Sequence, residues 1–225
     1  MSPELHLVVT VVIINHKTPD LLERAISSLR TFYSSVPVLM IDNGSHDGSS
    51  VAVMTEWKSR HPQHTELLLN PENLHHGPAI DQAIRHASTP FVLFLDSDCE
   101  VLRSGFIELM LQQARTSSLN YAVGKRIWMD QRGFDLRTNS SGAIPYVRPI
   151  CMVIRREVYL TLPRAQRHGA PCLANMQEAV RRGYLLVDFP IEDYVKHKGR
   201  GTAARFGYRL GWQGKLNHLL HKLGL

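Results

Sequence analysis

Apolar and polar positions alternate in two rhythms along the first hundred residues. "LHLVVTVVIIN" (5–15), "VPVLMID" (36–42), "TELLLN" (65–70) and "FVLFLD" (91–96) are short runs rich in Val, Ile and Leu. Such runs predict buried strands. Between the first two lies "TPDLLERAISSLRTF", in which Leu21, Leu22, Ala25, Ile26 and Leu29 recur at helical spacing. Thr18 suits the N-cap of that helix and Pro19 its first turn. Residues 50–60 and 77–87 predict two more helices. After residue 101 the rhythm loosens. Residues 119–129 and 146–156 read as strands, 155–162 and 172–183 as short helices, and 184–197 as an extended stretch ending at His197.

Strand and helix in alternation predict an α/β fold: a mostly parallel central sheet, helices on both faces, right-handed crossovers. Ligands of such sheets sit beyond the carboxyl ends of the strands. Those ends carry Asn15 and His16, Asp42 and Asn43, Asn70 and Asn73, then Asp96 and Asp98, so polar groups gather on one edge. Nothing linker-like divides residues 1–202, which read as one domain. Residues 203–225 read as an appended basic amphipathic helix. Its apolar side holds Phe206, Leu210, Trp212, Leu216, Leu219, Leu220 and Leu223; Arg205, Arg209, Lys215 and Lys222 lie elsewhere. A helix of this kind rests on an anionic membrane surface, or packs on its own domain or on a second copy in a homo-oligomer.

Composition narrows the classes. A formal net charge of +6 favours anionic partners. The basic residues are dispersed and lack interleaved aromatics, which argues against a nucleic-acid platform. No apolar run approaches the roughly 20 residues that span a bilayer, and no signal peptide is evident. The three cysteines show neither zinc-site spacing nor a disulfide framework. A cytoplasmic setting is the expectation, peripheral to a membrane surface only if the tail does not pack on its own domain or on a second copy.

The sharpest chemical signal is "FVLFLDSDCEV", a buried strand running into two aspartates one residue apart. Like charges at the end of such a strand cost free energy unless a cation offsets them, and oxygen ligands suit Mg2+ or Mn2+. A helix cap beside a surface aspartate is the competing reading.

Taken in order, "VTVVIINHKTPDLLERAISSL", "VLMIDNGSHDGS", "NPENLHHGPAIDQAI", "FVLFLDSDCEV", "MVIRREVY" and "RRGYLLVDFPIEDYVKHKGRGT" resemble the GT-A (Rossmann-like) glycosyltransferases, and among them family 2. The resemblance implies a metal-dependent enzyme that moves a sugar from a nucleotide-sugar donor, UDP-linked by preference, to a hydroxyl of a carbohydrate or lipid-linked acceptor. It implies a nucleotide part at about 5–101 and an acceptor part at about 102–202. Ile14, Asn15 and His16 would lie along base and ribose, Asp42 and Asn43 beside the base, and Asn73 and Gly77 in the segment usually built around Asn-x-Gly. Asp96 and Ser97 would face the ribose or a metal-bound water. Asp98 and His197, with Asp96, would hold Mn2+ or Mg2+. Lys198, Arg200 and Thr202 would grip the diphosphate. An inverting member needs a general base, usually an aspartate within Glu-Asp before Gly183, and this chain has none there. His168, Glu178 and Asp193, the last beside Glu192, are the substitutes. Two other readings stay open. A nucleotidyltransferase making sugar nucleotides usually carries a Gly-rich basic loop where "NHKTPD" stands; a protein that binds nucleotide sugars without turnover would tolerate the missing base.

Overall fold

A computed structural model describes residues 5–137, 139, 142–166 and 169–198. The chain opens with a single helical turn, α1 (Leu5–Val8), and then β1 (Val9–Asn15), α2 (Pro19–Phe32), β2 (Val38–Asn43), α3 (Ser49–Arg60), β3 (Thr65–Asn70), α4 (His76–His86) and β4 (Phe91–Leu95). Next come β5 (Cys99–Val101), α5 (Phe106–Arg115), β6 (Asn120–Met129), β7 (Asp135–Leu136), β8 (Ile144–Arg155), α6 (Arg156–Tyr159) and α7 (Leu173–Arg181). The described part closes with β9 (Leu185–Asp188), a 3-10 turn at Ile191–Asp193, and β10 (Val195–His197).

One eight-stranded sheet has the order β3-β2-β1-β4-β8-β6-β7, with β9 also paired to β6. The first four strands are mutually parallel, as the alternating pattern predicts. β8 runs antiparallel to both β4 and β6, and β9 parallel to β6. The parallel strands bury both faces, which is why they read as continuous apolar runs. Val9, Val11 and Ile13 join the core under α2, α3 and α5, whereas Val12 joins the core under α4 and α7. Leu93 and Phe94 of β4 divide between the two cores in the same way.

Three details differ from expectation. The first strand starts at Val9, because β4 offers a partner only from Phe91 and β2 only from Val38. Upstream residues would find no ladder, and they coil into a turn that buries Leu5. β2 starts at Val38 because Pro37 has no N–H to donate. Thr18 occupies the N-cap of α2, yet its hydroxyl donates to Asn15 Oδ1 (2.8 Å) instead of capping the helix. α5 lies outside the predicted elements, although its buried Phe106, Ile107, Met110, Leu111 and Ala114 show clear helical spacing.

A buried cation ties the first crossover to the sheet. Arg30, near the end of α2, donates to the carbonyls of Tyr33, Ser34, Val36 and His64 and to the Thr65 hydroxyl, at 2.6–3.3 Å. Burial lowers its pKa to about 10. Replacing Arg30 with Met would leave those acceptors without their donor in the interior. Urea unfolding should then show a loss of about 2–4 kcal/mol; a loss below about 1 kcal/mol would mean that water replaces the guanidinium easily.

Candidate active site

The turn after β4 presents the aspartate pair. Cys99 N–H donates to the Asp96 carbonyl (3.0 Å), and Asp96 N–H donates to the Ile150 carbonyl of β8 (2.8 Å). The short strand β5 then pairs antiparallel with β10 in a register that sets His197 opposite Cys99 and Lys196 opposite Glu100. Lys198 N–H extends the ladder to the Asp98 carbonyl (3.1 Å). Residues about a hundred positions apart in sequence are thereby side by side. Packing pins the closing segment. Tyr194 stacks on Phe189 at 5.6 Å and meets Phe106 at 6.4 Å, with the Arg103 guanidinium 4.4 Å over its ring. Ile191 and Val195 enter the core.

The product is a compact donor set. One ligand atom each from Asp96, Asp98 and His197 lies within 4.8 Å of the others, and His197 Nε2 is 3.1 Å from Asp98 Oδ1. Burial, then the neighbouring Asp98 charge, pushes the Asp96 carboxyl up to about 7. The hydrogen bond to Asp98 raises the His197 pKa. Both effects mark a site where negative charge lacks enough compensation. Two carboxylates and one imidazole fit a divalent cation, and the nitrogen donor favours Mn2+ over Mg2+. Asp98 is 8% exposed and Ser97 is buried between the two aspartates.

The tips of β1, β2 and β3 carry a second polar cluster. His16 Nδ1 faces the Asn43 carbonyl (2.9 Å), which can only accept, so Nδ1 carries the proton and Nε2 accepts from Asn73 Nδ2 (3.3 Å). Asn43 Nδ2 donates to Asn73 Oδ1 (3.1 Å), and Asn43 Oδ1 accepts from Asn70 Nδ2 (3.2 Å) and Leu74 N–H (3.1 Å). Asn70 and Gln82 exchange two amide hydrogen bonds. Asp42 is buried, and both its carboxylate oxygens accept from Ser45, through N–H (2.9 Å) and the hydroxyl. Asp42 therefore shapes the turn, and contact with a base would use its remaining lone pairs. That turn needs Gly44: its φ is 69°, and a Cβ there would come within 2.3 Å of the Glu72 backbone. Asn15 is fully buried, and its Nδ2 has no hydrogen-bond partner among the described residues.

The edge thus unites Asn15, His16, Asp42, Asn43, Asn73, Asp96, Ser97, Asp98, His197 and Lys198, with Ile14 partly buried beside them. Gly77 is buried in the first turn of α4, and the residue with a glycine-like backbone is His75 (φ 67°, ψ 168°). His76 was missed from sequence although its Nε2 lies 3.9 Å from Asp96 Oδ1. The tandem "HH" was its only signal. Arg200, Thr202, His168 and the 203–225 tail fall outside the described residues.

The base candidates part company. Glu178 accepts from Arg181 and Arg182 at 2.6–2.7 Å, and these bonds lower its pKa to about 2, the reverse of what a general base needs. Asp193 is exposed, 4.0 Å from Arg103. Its neighbour Glu192 pairs with Lys125 (2.8 Å) and lines a cleft of about 490 Å³ with Arg148, Ile150, Lys196 and His197. Lys125 and Arg148 carried no signal in sequence, since it is the pairing of β6 with β8, with its register shift between Gly124 and Arg126, that sets them in one cleft with His197.

Comparison with solved structures places this architecture among the GT-A glycosyltransferases. The mannosyltransferase PcManGT from Pyrobaculum calidifontis, solved with GDP-Man and Mn2+, superposes with a TM-score of 0.65 at 17% identity, covering 81% of this chain and 54% of that one. S. aureus TarS 1-349 with UDP gives 0.58 at 14%, over 84% and 59%. GalNAc-T7 with UDP, GalNAc and Mn2+ gives 0.65 at 14%, over 86% and 44%. The chain therefore spans only about half the length of these structures. No curated protein matches it in sequence. Residues 10–182 match the family described as Glycosyl transferase family 2, and the chain belongs to that family. No helix among the described residues is long and apolar enough to cross a membrane.

Cation binding should compete with protons, because Asp96 and His197 both hold protons more tightly than usual. Mn2+ at about 100 times its Kd should stabilise the protein by about 2.7 kcal/mol near pH 8 and much less near pH 6, read as a melting-temperature shift. Asp98→Ala should remove the shift at both pH values; a shift retained in that variant would place the cation elsewhere.

Proposed function

We propose that the protein is a metal-dependent glycosyltransferase that moves a sugar from a nucleotide-sugar donor, by preference a UDP-sugar, to an acceptor hydroxyl. The observation that carries this reading is the Asp96–Asp98–His197 group at the carboxyl edge of the sheet, beside the polar tips of β1 and β2. Family 2 membership supports it. So do the Mn2+, UDP and GDP-Man found with the similar structures.

In this reading Asp98, His197 and Asp96 hold the cation. A divalent ion there supplies positive charge against the donor diphosphate and so stabilises the departing nucleoside diphosphate. Ile14, Asn15 and Asp42 border the base and ribose, with His16, Asn43 and Asn73 fixing the shape of that end. Lys198, with Arg200 and Thr202 beyond the described residues, adds charge for the diphosphate. The acceptor approaches through the cleft between β6, β8 and β10, where Lys125, Arg148 and Glu192 stand near His197. Its hydroxyl attacks the anomeric carbon while a base takes the proton, which gives inversion. His168 and Asp193 remain the base assignments from sequence; Glu192 lines the cleft, and the arginine clamp on Glu178 makes that residue the weakest of the set.

The test is release of nucleoside diphosphate from a panel of UDP-, GDP- and dTDP-sugars with Mn2+, with and without simple sugar acceptors. One donor should be turned over, and Asp98→Ala should cut the rate about 1,000-fold, the scale of several kcal/mol of charge stabilisation. Full turnover in that variant, or no turnover and no binding of any donor by the wild type, would remove this function.

A further inference from the structure

We infer that the His75 side chain is a donor-binding group, giving an imidazole N–H to a phosphate oxygen of the nucleotide sugar; this rests on the function proposed above. The observation is in the backbone. Three non-glycine residues among those described have positive φ: Lys17, His46 and His75. His75 combines φ 67° with ψ 168°. That pair of angles lies outside the left-handed helical well, in a region that is essentially glycine's alone, because a Cβ is crowded there.

Its surroundings hold the conformation firmly. His75 N–H donates to Asn73 Oδ1 (2.8 Å), and its carbonyl accepts from Asn43 Nδ2 (3.4 Å) and from Ala79 N–H (3.2 Å). All three bonds use backbone atoms of residue 75, so glycine would make every one of them without steric cost. A histidine at this position costs stability that nothing in the backbone bonding requires. Strain of this kind collects where a side chain is needed.

The place fits the chemistry. His75 is exposed. On one side its backbone meets Asn43 and Asn73, which belong to the cluster at the tips of β1 and β2. On the other side the next residue, His76, approaches Asp96 of the cation group. A donor with its base near Asp42 and its diphosphate near Asp98 has to cross this span. An imidazole held there meets the part of the donor between ribose and metal, where hydrogen bonds to charged oxygen are strongest.

Glycine and alanine at this position separate strain from contact. Nucleoside-diphosphate affinity would be measured by calorimetry with saturating Mn2+, using UDP and GDP, beside the melting temperature and the Mn2+ affinity of each variant. His75→Gly should melt a few degrees above the wild type and yet bind the preferred diphosphate about 10–100-fold more weakly. His75→Ala should lose similar affinity without the gain in melting temperature. Mn2+ affinity alone should stay unchanged in both, and the parent nucleoside should bind all three proteins equally. A glycine variant that binds the diphosphate as tightly as the wild type overturns the proposal, as does one that melts no higher. A wild type that binds neither diphosphate overturns the donor reading itself, and this inference with it.

Discussion

Two carboxylates at the end of a buried strand are an electrostatic problem, and the pairing of β5 with β10 is the arrangement that answers it. The register setting His197 opposite Cys99 brings a nitrogen donor to Asp98 and turns a repulsive pair into a three-point donor set that a divalent cation would fit. Much of the surrounding structure serves that register. The sheet ends β4 at Leu95, the turn at Asp96 is anchored to β8, and the aromatic contacts of Tyr194 hold the returning chain in place. Burial, and after it the Asp98 charge, raises the Asp96 carboxyl, and the pull of His197 only partly opposes this.

The other end of the edge follows a different rule. Amide and imidazole groups satisfy one another there in a closed set: His16 with Asn43 and Asn73, and Asn70 with Gln82. Such a network fixes shape more than it stores charge, since fully satisfied polar groups resist rearrangement. Gly44 makes the packing possible by letting the backbone at Glu72 approach where a side chain would collide. Under the proposed function, this hydrogen-bonded end, which includes the buried carboxylate of Asp42, would take the base, and the undercompensated Asp96–Asp98 end would take the cation with the diphosphate.

The first half of this fold was legible because its physics is local. Val9, Val11 and Ile13 against Val12 show the two-faced burial of a parallel strand, and Leu21, Leu22, Ala25, Ile26 and Leu29 show one helical face. The aspartate pair was legible because two charges after an apolar strand are conspicuous. His197 was placed through family resemblance, and the β5–β10 register supplies the physical reason. Lys125 and Arg148 were invisible because tertiary geometry, with no pattern in the nearby sequence, carries them to the site, and His76 had only the tandem "HH" to mark it. Glu178 sits on its helix as expected, and it pairs with Arg181 and Arg182, three and four positions on, a spacing already present in the sequence. Thr18 had the right type for a cap and found a better partner in Asn15.

The most direct test of the account asks whether one bound ion touches both distant parts of the chain. Pulsed electron paramagnetic resonance of the Mn2+-loaded protein reads nitrogen coupling from a ligating imidazole. The account predicts a single histidine nitrogen signal that disappears in His197→Gln, while Asp98→Asn weakens Mn2+ binding itself. A tightly bound ion with no nitrogen coupling, or one whose coupling survives the loss of His197, would contradict it.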